Sequence, residues 1–455
     1  MSIQNIFEQQ QHFFLTNQTK DTDFRIAQLR QLIKILKAHE QEMYDAIYKD
    51  FGKSEFETYA TELSIIYSEI NHFVKHIKRW SKRQRVSTGL VHFPAKSYII
   101  PEPLGNTLVI GAWNYPYQLS LLPAISALAA GNTVILKPSE LTKHTSAVMA
   151  KIINTHFDSA YFCVIEGGVK EATELLTLSF NKIFFTGSTS VGKIVYQAAA
   201  KNLIPVTLEL GSKSPTFVLA DADIPMTARR LVWAKYLNAG QTCVSPDYIW
   251  VDESIQDQFL IALKSEIERT HAGSIERDNY VRIINTDHFD RLKALISKDK
   301  LFYGGASNRD ERWIEPTILR NVQANDAVMH DEIFGPILPV LSFTDLEKAI
   351  QEVKARPRPL ACYVYSNNRT SINHILESIS FGGGAINDSV MHLINNNLPF
   401  GGVGRSGIGS YHGKAGFDTF SHFKGILQKP FWFELPIKYA PYSKRKQKII
   451  KRLLE

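Results

Sequence analysis

Cys243, set among small, polar and turn-forming residues in NAGQTCVSPD, is the residue of this chain best suited to covalent chemistry. The other cysteines, Cys163 in YFCVIEG and Cys362 in PLACYVYS, lie in short apolar runs that read as buried strands, where cysteine packs as a small hydrophobe. Three scattered cysteines are too few for a disulfide framework or a zinc site. A second stretch, FFTGSTSVGKI, falls one residue short of a phosphate-binding loop. Gly187, Gly192 and Lys193 keep the G-x-x-x-x-G-K spacing, but Ile194 stands where Ser or Thr would hold magnesium. Ile194 offers no oxygen to a metal, and the turn has too few glycines to wrap a triphosphate. A dinucleotide needs neither, because backbone N–H groups and a helix dipole can hold its pyrophosphate. The acid that binds the ribose in such a site belongs at the end of a neighbouring strand, and VILKPSE offers Lys137 and Glu140 there.

A nicotinamide cofactor beside a reactive cysteine suits the oxidation of an aldehyde. Thiolate addition gives a tetrahedral thiohemiacetal that can release hydride, and water must then cleave the thioester that remains. The reaction needs a nucleophile, an oxyanion donor and a base. Cys243, Asn114 in GAWNYPY and Glu209 in TLELGSK supply those types in loop-like settings. On residue type alone, Asn114 serves equally to shape a turn before Tyr-Pro, and Glu209 to act as a cap or a paired buried acid. A cysteine acyl hydrolase using Cys243 and Glu209 without redox chemistry stays open at this point, although it leaves the nucleotide turn unexplained. A coenzyme-A-acylating dehydrogenase also fits in outline, with Glu209 as a hydrolytic base arguing against it. The literal G-x-G-x-x-G at Gly402, Gly404 and Gly407 follows NNNLPF, which is no buried strand, so it reads as a structural or substrate-lining loop.

These groups need a scaffold. At 455 residues the chain is long enough for two or three domains. FRIAQLRQLIKILKAHEQEMYDAIYKDFG and SEFETYATELSIIYSEINHFVKHIKRW space their apolar residues three and four apart, which predicts helices, with Gly52 as a stop. VHFPAKSYIIPEPLG then reads as an outlying hairpin. TLVIGAW, NTVILKPSE, FCVIEGG, KIFFTGS and VTLELG alternate with helical stretches, which argues for a doubly wound parallel sheet. TFVLA, YIWVD and ILPVLSF, with IQDQFLIALKSEIERT and DLEKAIQEVKAR, predict a second α/β domain.

The net charge of +7 invites a nucleic-acid reading, but its location argues otherwise. From Lys438 onward seven basic residues face a single acid, so the rest of the chain is nearly neutral. A basic tail on a neutral body suggests an appendage meeting an anionic surface, and a non-enzymatic surface-binding module is the rival reading. Ile449, Ile450, Leu453 and Leu454 fall on one side of a helix in KRKQKIIKRLLE, as expected for a weak peripheral membrane contact or for packing on a sister subunit. No apolar run is long enough to span a membrane, and the N-terminus lacks the pattern of a secretory signal, so a cytoplasmic protein, peripheral to membranes at most, is expected.

VTLELGSKSP, FTGSTSVGK, NAGQTCVSPD, DEIFGPILPV and LPFGGVGRSGIGSYHGKAGFDTFSH together resemble the signature series of the aldehyde dehydrogenase superfamily, in matching order over nearly the whole chain. YKDFGKSEFETYATELS and GGGAINDSVMH are most similar to its class 3, fatty-aldehyde branch. The resemblance implies Cys243 as nucleophile, Glu209 as general base, and Asn114 with the Cys243 N–H as the oxyanion site. It implies NAD as cofactor, with NADP the alternative. Lys137 and Glu140 would meet the adenosine ribose, with Gly187, Ser188 and Gly192 in the cofactor turn, Glu332 on the nicotinamide ribose and Phe334 near the ring. Tyr115, Ile394 and His412 are candidates for an apolar access channel, with Tyr117, Met391 and His392 beside them. The implied organisation is a dinucleotide-binding domain over 1–85 and 104–210, a catalytic domain over 211–395 and an oligomerisation arm over 86–103 and 410–430. A basic tail over 431–455 follows. A homodimer acting on a small-molecule aldehyde, with no nucleic-acid partner, completes the expectation. One departure stands out: the family's E-L-G-G-K reads Glu209-Leu-Gly-Ser212-Lys here, which strains the chain if that position requires a positive φ.

Overall fold

The computed structural model describes residues 2–273 and 279–454; Glu455 and the side chains of Leu453 and Leu454, half of the tail's expected apolar side, lie outside the described residues. Two largely parallel sheets carry the fold. The first runs Gly407–Ile408, Val206–Leu210, Lys182–Gly187, Asn106–Ile110, Thr133–Lys137, Phe162–Val164. Five of these strands are parallel, and Gly407–Ile408 pairs antiparallel on the edge, with Gly407 opposite Glu209. The five are buried along most of their length, as parallel strands covered by helices on both faces must be. Chain order reverses between Asn106–Ile110 and Lys182–Gly187, and such a switch point opens a crevice at the carboxyl ends of the strands. The segments leaving those ends are Gly111 to Asn114 and Ser188 onward.

The second sheet runs Leu301–Tyr303, Thr317–Leu319, Ile337–Phe343, Tyr248–Asp252, Pro215–Val218, Ala361–Tyr365, Gly383–Ile386, with only the first of these antiparallel. The α/β architecture expected from the alternating apolar runs is the one observed. Cys163 and Cys362 are buried within Phe162–Val164 and Ala361–Tyr365.

Helices cover the first sheet. The first long helical stretch breaks at His39 into Thr22–Ala38 and Glu40–Phe51, and Gly52 ends it at φ 68. The second stretch begins with Glu55–Thr58, passes through one wide turn at Tyr59–Leu63 and continues as Ser64–Trp80. Wide turns of this kind occur often at functional sites. Glu62 on this turn is fully buried and pairs with the equally buried Lys53 at 2.8 Å. Its other oxygen accepts the N–H groups of Tyr117 and Gln118 at 2.8 and 3.2 Å, at the start of helix Pro116–Ala130. A carboxylate there meets the positive end of the helix dipole and two otherwise orphaned donors.

A three-stranded antiparallel sheet, Gln84–Val86, Lys96–Pro103 and Ser421–Gln428, stands apart from both parallel sheets. Ser421–Gln428 is its outer strand and is exposed over most of its length. The helix Gly413–Thr419 just before it packs instead on helix Pro116–Ala130, where Gly416 lies against Ser126. The tail ends in helix Lys444–Leu454, and among the described residues no helix is long and apolar enough to cross a membrane.

Candidate active site

Cys243 precedes strand Tyr248–Asp252 and follows a turn in which Asn238, Ala239 and Gly240 all take left-handed backbone, with φ of 54, 51 and 72. It is half-buried rather than exposed, and it forms part of the wall of two cavities. One is a cleft of about 620 Å³ along the switch point; the other is an apolar pocket of about 280 Å³.

The cleft brings together Asn114, Lys137, Glu140, Gly187, Ser188, Glu209, Glu332, Phe334 and Cys243. Gly192 stands behind it: a Cβ there would come within 2.5 Å of Leu210, so the glycine lets helix Thr189–Lys201 lie close on its strand. Ser188 caps that helix by accepting the Val191 N–H at 3.3 Å. Lys137 donates to Glu140 at 2.9 Å. Val169, Val191 and Ile194 are exposed yet face the cleft, giving apolar walls beside a helix N-terminus. Apolar slot, helix dipole and the Lys137–Glu140 pair fit an adenine dinucleotide, and Ile194, out of place in a magnesium site, fits as a wall.

Around Cys243 the structure buries acids. Glu209 lies one residue before the end of strand Val206–Leu210, so it is a strand residue rather than a loop residue. It is 4 % exposed, and neither carboxylate oxygen has a hydrogen-bond partner among the described residues. Burial pushes its pKa well above the ordinary value. Burial also lifts Glu332 to about 8, reinforced by Asp247 and opposed by the Ser212 N–H. Cys243 is pushed up to about 12 by burial first, then by Glu332 and Glu209. Asn114 is buried and donates one amide N–H to the Gln241 carbonyl at 3.1 Å, which orients the amide and leaves its second N–H for another acceptor.

Ser212 is not among the residues with positive φ, so the family's second glycine is not needed here for backbone freedom. Its hydroxyl accepts the Leu360 N–H at 2.7 Å, tying the Glu209 strand's exit to a residue that lines the cleft. Sequence reasoning also missed His288 and Arg291. Their side chains hold the loop of Glu332 and Phe334, His288 at the Phe334 carbonyl at 2.8 Å and Arg291 at the Glu332 carbonyl at 3.2 Å.

Tyr115, Ile394 and His412 line the apolar pocket, as does Met391. Tyr117 and His392 do not line it; Tyr117 is fully buried, its hydroxyl donating to the Met43 carbonyl at 2.9 Å. The pocket also takes Phe56, Glu57, Leu119 and Trp233, which sequence reasoning did not single out. Phe56 is 84 % exposed at the start of helix Glu55–Thr58.

The sequence profile of the aldehyde dehydrogenase family matches residues 3–426. The chain is 47% identical to 4,4'-diaponeurosporen-aldehyde dehydrogenase of Staphylococcus aureus, over 99% of this chain and 98% of that one. It is 42% identical to aldehyde dehydrogenase family 3 member A2 of Pongo abelii, over 95% of this chain and 90% of that protein. It is 43% identical to the dimeric NADP-preferring aldehyde dehydrogenase of Rattus norvegicus, over 94% and 95%. The solved substrate-bound state of Staphylococcus aureus AldH superposes with a TM-score of 0.97, at 46% identity and full coverage of both chains.

Proposed function

The chain belongs to the aldehyde dehydrogenase family, and from that premise we propose that Cys243 is its nucleophile, Asn114 its oxyanion donor and Glu209 its hydrolytic base. The enzyme oxidises aldehydes to carboxylic acids with NAD or NADP. The observation that carries the assignment is the place of Cys243 on the shared wall of the cofactor-sized cleft and the apolar pocket. An aldehyde lying in the pocket presents its carbonyl to the sulfur at the point where the cleft begins.

The resting thiol is protonated, and its proton passes to a neighbouring carboxylate as the sulfur bonds the carbonyl carbon. The carbonyl oxygen takes the negative charge and is held by the free Asn114 N–H and the Cys243 backbone N–H. Bound in the cleft, the nicotinamide supplies the hydride acceptor and, while oxidised, a positive charge that favours the thiolate. Lys137 and Glu140 hold the adenosine ribose, with Glu140 favouring NAD by repelling a 2′-phosphate. Glu332 holds the second ribose. Once the carbon stands as a thioester, Glu209 draws a proton from water, the water oxygen bonds that carbon and the Cys243 sulfur leaves. Burial raises the pKa of that carboxyl, which makes its carboxylate a stronger base for this step.

The pocket, at about 280 Å³, is larger than the ~150 Å³ apolar cavity known to accommodate benzene. Medium-chain and aromatic aldehydes fit inside. A longer chain leaves the mouth past the exposed Phe56, Met391 and Ile394. Replacing Cys243 by Ser should abolish turnover while cofactor binding persists; full turnover would refute the assignment. Equal kcat/KM for acetaldehyde and a long-chain aldehyde would count against the apolar pocket.

A homodimer through the open edge of Ser421–Gln428 is supported by its exposure and by the dimeric rat relative. The basic tail supports a weak contact with anionic membranes. Equal flotation on anionic vesicles with and without residues 438–455 would end that reading.

A further inference from the structure

Glu57 is the acidic residue of the apolar pocket wall, and it belongs to a hydrogen-bond chain that leads out of the pocket. One carboxylate oxygen accepts the backbone N–H of Asn238 at 2.7 Å. The Asn238 side-chain amide donates in turn to the backbone carbonyls of Asn114 at 2.9 Å and Gln241 at 3.0 Å. The Asn114 amide meets that same Gln241 carbonyl at 3.1 Å. Asn238 and Ala239 are non-glycine residues held in left-handed backbone. Two such residues in succession persist only where the surroundings over-determine them. Gln241 supplies part of that constraint, donating its backbone N–H and its side-chain amide to the Asn238 carbonyl at 3.0 and 3.1 Å. Glu57 supplies the part that comes from the N-terminal helices. It stands just before the wide turn Tyr59–Leu63, whose Glu62 fixes the start of the helix that follows Asn114 and Tyr115.

We propose that Glu57 is a positioning residue that locks the Asn238 turn, and through it the Asn114 amide and the Cys243 loop, into the geometry that receives the oxyanion. The inference rests on the roles proposed above for Cys243 and Asn114. It makes the substrate pocket and the oxyanion site mechanically continuous: the element that the aldehyde's chain touches is also the one that aims the oxyanion donor. A hydrogen bond from Asn114 that strengthens only in the transition state loses value steeply when its donor is misplaced.

The test compares Glu57→Leu and Glu57→Gln in the full chain. Leucine removes the acceptor while keeping an apolar wall, and glutamine keeps an acceptor without a charge. With a medium-chain aldehyde, Glu57→Leu should lower kcat by about ten- to a hundredfold, less than the roughly hundred- to thousandfold lost when an oxyanion donor is removed outright, because here the donor is only misplaced. KM should stay within about threefold, because leucine keeps the pocket wall apolar, and NADH affinity should stay unchanged, because Glu57 does not line the cleft. Glu57→Gln should recover most of the turnover. Wild-type kcat in Glu57→Leu would overturn the inference, as would equal impairment of both variants. A joint loss of kcat, NADH binding and folded fraction in Glu57→Leu would overturn it too, since that marks a general packing role. Cys243→Ser run alongside separates the two claims. An inactive Cys243→Ser with a fully active Glu57→Leu refutes only the positioning role, whereas an active Cys243→Ser refutes the reading beneath it.

Discussion

Replacing Glu332 with Gln should make Cys243 more nucleophilic in the cofactor-free enzyme, and only at alkaline pH. Burial is the main cause holding the thiol at about 12, and Glu332 is the next. Glu332 itself titrates near 8, so it carries its charge at pH 9 and not at pH 6. A like charge at close range is worth roughly one pKa unit, or about 1.4 kcal/mol. At pH 9 a thiol of pKa about 12 is ionised to roughly one part in a thousand; lowering that pKa by one unit raises the fraction about tenfold. The assay is the second-order rate of alkylation by iodoacetamide, a neutral reagent that reports thiolate without responding to local charge. The variant should react about tenfold faster than wild type at pH 9 and within about twofold at pH 6. Equal rates at pH 9 would show that Glu332 does not act on the sulfur, and a slower variant would show that it serves as the proton acceptor instead.

Ser212→Gly should keep its turnover but lose the acceptor of the Leu360 N–H, at a cost of about 1 kcal/mol. The expected readout is a cofactor Kd weakened by about three- to tenfold, and an unchanged Kd would show that the bond does not shape the cleft. Glu69 is buried, accepts the Gly413 N–H at 2.7 Å and has its pKa raised by burial to about 7. Because the folded-state value lies above the unfolded one, its contribution to stability is complete below about pH 4.5 and fades as pH rises through 7. The stability of Glu69→Gln relative to wild type should therefore rise by about 2.5 kcal/mol between pH 5 and pH 8 in denaturant titrations, whereas parallel pH profiles would refute the shift.

What the sequence made legible was local. Strands such as KIFFTGS and VTLELG declare themselves by apolar runs, and the turn after Gly187 by its small residues, because each signal lies within a dozen positions. The apolar pocket was harder. Phe56, Tyr115, Trp233 and Met391 come from four distant segments, and nothing within any one of them states that they meet. Side-chain partnerships across the fold were equally hidden. Ser212 reads in sequence as a hazard to the backbone, whereas its backbone is ordinary and its hydroxyl holds Leu360, 148 positions away. Electrostatics sat deepest of all: the elevated values of Glu209, Glu332 and Cys243 depend on how completely three separate segments exclude water from one another.

The short strand Gly407–Ile408 flanks the strand that carries Glu209, with the Ser406 carbonyl accepting the Leu210 N–H at 3.0 Å. That neighbour is made about two hundred residues after the strand it protects. On the ribosome the edge stays bare through the synthesis of the entire second sheet, open to pairing with any passing extended segment. The strand that carries Glu209 is thus framed only after the whole second sheet has been made, and a nascent chain carries Cys243 well before that edge is covered.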